Sequence, residues 1–260
     1  MRFRDAFLRS LLLLLLLPGL ASAQSVLERT PNLSGGWVGS PGQIHFNFLH
    51  RFHLVDGGDE SIVVNTPSFL LAAPLAGRTF LGLGYASSSG VAPGEQNEWE
   101  LLGRWAALGG SGDHPLDLSL TGAYNTAASS VDGELQIGVP LGPVRLLGVG
   151  RAFSDHRGGG DGGWAAGGGA VYRISDGFAL AGDVVSGSDR PDSRTVAWGA
   201  ALQLRIPYTP HTHSLQATNT RTATLQGSSD GFREPGGSDD HQIVWGFEFT
   251  IPFTWSNYFG

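Results

Sequence analysis

The chain has 260 residues, of which 40 are glycine, only 15% are charged and none is cysteine. All 16 basic residues are arginine, against 23 acidic ones, for a net charge of −7. These figures exclude a disulfide scaffold, a thiolate metal centre, a cysteine nucleophile and electrostatically driven binding of nucleic acid. At 41% hydrophobic content the chain can still bury a core, so wholesale disorder is excluded too.

Residues 1–23 read as a secretory signal peptide. Arg2, Arg4 and Arg9 surround a lone Asp5, the apolar run Leu11 to Leu17 follows, and Pro18-Gly19 leads to Ala21-Ser22-Ala23. The run is far shorter than the ~20 residues a membrane-spanning helix needs. Cleavage after Ala23 leaves an acidic mature chain that starts at Gln24, and no cysteine follows that could carry a lipid.

Beyond residue 23 no stretch approaches 18 consecutive apolar residues, so a membrane could be crossed only by strands. Residues 24–42 form an N-terminal segment on the periplasmic side, free to enter a lumen or stay loose. Period-two alternation then predicts twelve strands, at about 43–54, 61–72, 78–86, 97–108, 115–125, 131–139, 143–153, 163–174, 177–186, 194–206, 212–219 and 241–253. The second is the least regular, because Pro67 interrupts it. In the last, Ile243, Trp245, Phe247, Phe249, Ile251 and Phe253 share one face. Connections alternate between about ten residues and about four, the pattern of an up-and-down barrel with both termini on the short-turn side.

The charges decide which face points inward. Trp99, Leu101 and Trp105 oppose Glu98, Glu100 and Arg104, and Leu116, Leu118 and Leu120 oppose Asp117 and its polar neighbours. In an outer-membrane barrel the apolar set meets lipid and the polar set lines the lumen. Candidate lumen-lining residues are Arg51, Glu98, Glu100, Arg104, Asp117, Glu134, Arg145, Arg151, Arg173, Asp183, Arg205 and Glu248, and acids and arginines in similar number imply mutual pairing. On a soluble protein the same residues would be the solvated face.

Several segments resemble a bacterial family, a domain of unknown function described as a membrane-bound beta barrel. They are Thr30-Pro31-Asn32 through His50-Arg51-Phe52, Leu81 to Ser88, His213 to Thr220 and Gly246 to Ile251. Tyr85-Ala86 stands where that family usually carries an arginine before paired serines. The resemblance implies an outer-membrane barrel and no established activity.

Chemistry is sparse. His45 and His53 share a face but lie about 26 Å apart along an extended strand, too far to hold one ion, while His50 faces the other way among Phe46, Phe48 and Phe52. His211 and His213 sit at i and i+2 and need a third ligand. The acidic loop residues, such as Asp56, Asp59, Glu60, Asp161 and Asp239, lack calcium-loop spacing. Ser154-Asp155-His156 is adjacent in sequence without triad geometry.

The expectation is therefore an all-β chain, a closed antiparallel up-and-down transmembrane β-barrel of about twelve strands (10 to 14) over residues 43–260, in the outer membrane of a Gram-negative-type bacterium. No catalytic, cofactor or metal site is assigned. Expected partners are outer-membrane lipid, the barrel-insertion machinery during biogenesis and an unidentified small solute. The function expected is passive passage or binding of that solute through a narrow or plugged lumen. Alternatives are a structural or docking barrel, whose loop 220–240 meets another envelope component, and a surface hydrolase.

Overall fold

Alternation between large apolar and small or polar residues puts two unlike faces on each strand, and the chain satisfies both by closing on itself. In the computed structural model, residues 26–56, 60–92, 95–109, 114–191, 194–232 and 243–256 are described. The expected signal peptide and the loop acids Asp59, Asp192, Glu234, Asp239 and Asp240 lie outside them. A 3-10 turn, Val26–Glu28, precedes the wall strands β1 Gln43–Asp56, β2 Ser61–Leu75, β3 Thr79–Ser88, β4 Gln96–Leu108, β5 Asp117–Asn125 and β6 Ser130–Leu141. The chain continues through β7 Val144–Phe153, β8 Gly163–Ser175, β9 Phe178–Gly187, β10 Arg194–Arg205, β11 Thr212–Thr218, β12 Asp230–Phe232 and β13 Val244–Thr254.

Each strand from β1 to β10 pairs antiparallel with the next, β11 pairs with β13, and β13 pairs with β1. Twelve strands thus make a closed up-and-down barrel. Closure leaves no wall strand with an open edge, which hydrocarbon would penalise at several kcal/mol per unpaired group. The extra strand β12 is a correction to the expected loop over 220–240: its three residues pair with the start of β10, inside that excursion. Pro67 does not break β2, which runs on three residues past its expected end and pairs through Pro67 with His50.

Outward positions carry Leu71, Leu81, Leu101, Leu120, Leu135 and Leu202, all exposed. Among the described residues no Asp, Glu or Arg occupies an outward position of β2–β9, β11 or β13, and the one charge on the outward alternation of β10, Arg194 at the strand's start, is buried over the Phe232 ring. Six outward residues of β1, from Ile44 to Leu54, cover about 33 Å of strand, close to the roughly 25 Å apolar band of an outer-membrane barrel once the strand is tilted. The exterior is thus a lipid-facing belt.

The interior is solid. Leu33, Trp37 and Val38 of the N-terminal segment and Leu225 of the β11–β12 connection pack with inward residues of the wall, including Ala72, Phe80, Leu102, Leu147 and Val185. Leu27 packs with Val171, Ala179, Ala181 and Ala201. Gly199 allows the segment through, because a Cβ there would meet Pro31 at 2.7 Å.

Candidate functional site: a lumen closed by two segments

Inward positions along the wall strands carry the charges. On β4 these are Glu98, Glu100 and Arg104, on β6 Asp132 and Glu134, on β7 Arg151, on β9 Asp183, on β1 Arg51 and on β13 Glu248, all buried. Glu134 sits between two guanidinium groups, accepting from Arg151 Nε at 2.9 Å and Arg104 Nη2 at 3.2 Å. Arg145 pairs with Asp117 at the end of the barrel that holds the chain termini. Arg173 and Arg205 occupy inward positions near the same end but are exposed at the mouth, so they do not join the buried cluster.

Two segments fill the space between these walls. Residues 27–41 enter from the terminal side. Asn32 donates from its backbone N and its Nδ2 to Asp183, at 3.0 and 2.7 Å. Ser34 donates to Gln136, and Arg29 pairs with Glu248. Residues 219–230 enter from the opposite end. Thr224 donates to Glu98 at 2.5 Å, the backbone N of Leu225 to Glu100 at 2.8 Å, and Gln226 to Asp132 at 3.1 Å. The segments meet where Thr220 Oγ1 donates to Asn32 Oδ1 at 2.7 Å.

Two wall arginines tie both segments at once. Arg51, wholly excluded from solvent, donates to Thr220 and the Thr222 carbonyl on one segment and to the Pro31 carbonyl on the other. Arg151 donates to the Leu225 carbonyl, Ser228 and Ser229, and through Nη2 to the Asn32 carbonyl at 2.9 Å. A guanidinium has five donors in a fixed fork, so one side chain can satisfy carbonyls from separate pieces of chain. A residual cavity of about 80 Å³ beside Arg29, Ser68, Thr224 and Glu248 would hold about two waters.

Arg29, Asn32, Ser34, Thr220, Thr224 and Gln226 were not among the residues that periodicity singles out, because they lie outside the strands. For Thr220, Thr224 and Gln226 composition is a signal, since Thr218 to Ser229 is almost wholly small and polar, rich in side chains able to satisfy buried charges.

At the rim opposite the termini a latch holds the second segment. Asp230 accepts from Arg157 Nε at 2.9 Å, His156 Nε2 lies 3.5 Å away, and the backbone N of Arg157 donates to Gln226. Burial alone would raise the Asp230 carboxyl, but His156 and Arg157 outweigh it and hold it below the usual Asp range. A lowered folded value means the latch is fully made above the ordinary Asp value of about 3.9 and is lost only as pH falls through the lowered one. Acidification to about pH 4 should leave amide exchange over 220–230 slow, whereas Asp230→Asn should speed it at neutral pH; fast exchange in the parent at pH 4 would contradict the latch.

The histidines stay apart. His45 meets Trp37 edge-on, His50 lies against Phe48 and Phe247, and His156 stacks on Phe153. Among the described residues no three His, Asp or Glu come together as a metal-ligand set. Ser154 Oγ accepts from the Val131 backbone N and lies 3.3 Å from Ser130, while His156 faces Asp230, so Ser154 and His156 form no nucleophile–base pair.

No family model and no curated protein matches the chain. Among solved structures it is similar to the KdgM porin, at 8% identity and a TM-score of 0.54 over 80% of this chain and 99% of that one. An outer membrane channel from Pseudomonas putida F1 aligns at 15% identity and a TM-score of 0.53 over 82% and 96%. The NanC porin aligns at 9% and 0.50 over 80% and 98%. At these identities the likeness is one of fold, and that fold is the outer-membrane β-barrel.

Proposed function

We propose that the chain is exported behind residues 1–23, inserted into the outer membrane by barrel-insertion machinery, and there admits a small polar solute through a lumen gated by its own residues 219–232. The observation that carries this reading is how the lumen is closed. The closing segment on the loop side is a single excursion between β11 and β13, held by hydrogen bonds to wall charges and joined to the wall strand β10 by the three residues of β12. Its withdrawal leaves all twelve wall strands paired and uncovers the charges of β4, β6 and β7. The porins and the channel of similar fold agree with a transport role. The resemblance to the domain of unknown function adds an outer-membrane setting and no activity.

Planar-bilayer recording tests this. The parent protein should show brief, low-conductance openings, and replacing 221–229 by a short Gly-Ser bridge should give a steady conductance several-fold larger. Silence from both proteins would overturn the reading and favour the other use of such a barrel, a closed scaffold that docks an envelope component. That second reading has its own support in the ties that Arg51 and Arg151 make to both segments.

A further inference from the structure

The lipid-facing belt is mostly apolar; among its polar residues His213 lies with Nδ1 3.1 Å from the Glu248 carbonyl oxygen, whereas His50 and Asn65 turn to each other. On β1 the outward residues run Ile44, Phe46, Phe48, His50, Phe52, Leu54, so an imidazole sits in mid-belt with apolar neighbours on both sides. Asn65, outward on β2 opposite Phe52, lies beside it, with Asn65 Nδ2 2.7 Å and Oδ1 3.0 Å from His50 Nδ1. With the amide donating to Nδ1, the ring proton must sit on Nε2. In either tautomer Nδ1 satisfies one half of the Asn65 amide, so His50 Nε2 and the other half of that amide are left without a hydrogen-bond partner among the described residues. Neither group gains anything from a hydrocarbon neighbour.

The surroundings have a shape to match. His50 belongs to a ridge of rings in which Phe46 and Phe48 are 6.1 Å apart, Phe48 and His50 4.4 Å, and Phe46 and Phe69 6.0 Å. Next to the ridge, on the β9–β11 side, lies an outer groove of about 680 Å³ between Phe52, Leu202, Leu215, Ala217, Trp245 and Phe247. Phe247 stacks on His50 at 5.1 Å, so ridge and groove share a wall.

We propose that this face docks a second copy of the chain across a two-fold axis near His50, with the ridge of each copy seated in the groove of the other. An isologous contact needs one patch that carries both a feature and its complement, and ridge and groove on adjoining strands supply that. The polar groups obey the same symmetry: His50 Nε2 of each copy meets the unpaired half of the Asn65 amide of the other, and the two groups are satisfied together. A lipid filling the groove leaves them unmet, because acyl chains at that depth offer no acceptor. Interhelical polar contacts within bilayers follow the same logic.

The cysteine-free chain makes the test direct. Val63→Cys places a thiol next to the pair on the outward face of β2, and Leu135→Cys places one on β6, on a different side of the barrel. In liposomes at matched protein-to-lipid ratio, oxidation should give a disulfide-linked dimer from the first variant and none from the second. Adding His50→Phe to Val63→Cys should cut the dimer yield at least ten-fold, while the heat-modifiable gel shift shows the barrel still folded. Equal yields from both thiols, no dimer from Val63→Cys, an unchanged yield with His50→Phe, or a monomer mass with co-purified lipid in the groove would each overturn the proposal.

Discussion

Replacing Arg151 by alanine should do two things together: lower barrel stability by about 3–5 kcal/mol and open the lumen to steady conductance. The stability loss comes from Glu134, which would keep Arg104 at 3.2 Å but lose its shorter contact with Arg151 in a site with almost no access to solvent. The opening comes from the other donors. Arg151 ties the Leu225 carbonyl, Ser228 and Ser229 of one closing segment to the Asn32 carbonyl of the other, so its loss loosens both at once and leaves Arg51 as the remaining wall arginine that joins them. A triple variant separates the effects. Arg104→Met, Glu134→Met and Arg151→Met together remove the whole buried triad, so that no member is left unpaired, and apolar replacements of similar size for a buried ion pair or triad are often close to neutral in stability. That variant should fold with near-parental stability in urea titrations into liposomes and still conduct. Parental silence in the triple variant would mean that the remaining wall contacts, not the arginine, keep the segments seated.

The wall was legible because strand geometry is local. A period of two and the placement of Glu98, Glu100 and Arg104 opposite Trp99, Leu101 and Trp105 are enough to say which side of β4 faces the lumen, and the burial of those charges follows the same alternation. Twelve wall strands and alternating connections could be read for the same reason. The contents of the lumen could not. Asn32 meets Thr220 across 188 residues, Leu225 meets Glu100 across 125, and Arg151 meets Asn32 across 119, so no local pattern links them. A polar stretch such as Thr218 to Ser229 reads as a solvated loop unless the charges it will cover are already known. Position along a strand matters too: Arg173 and Arg205 share the inward alternation of Arg151 yet end exposed at the mouth on the terminal side, beyond the buried cluster. Pro67 misled for a related reason, since a missing donor weakens a strand in isolation but is carried by neighbours paired over its whole length.

The most direct check of the inside-out arrangement uses two adjacent leucines on β4. Leu101 is 60% exposed and pairs across the belt with Leu83 and Tyr124, whereas Leu102 is buried in the lumen among the packed interior residues. Leu101→Arg should cost about 2–4 kcal/mol in folding into liposomes, the depth-dependent penalty for a cation on the lipid side of a barrel. An exposed leucine on a water-facing sheet would tolerate the same change within about 0.5 kcal/mol. Leu102→Ala should cost about 2–5 kcal/mol, because neither lipid nor bulk water can fill the space it leaves. Leu101→Ala should cost much less than either, since lipid replaces the lost contacts. The order of the three variants carries the argument: a costly arginine and a cheap alanine at 101, beside a costly alanine at 102, arise only when one face of the same strand meets hydrocarbon and the other meets a filled lumen. A harmless Leu101→Arg would place the belt in water and remove the reason for reading the buried charges as a lumen at all.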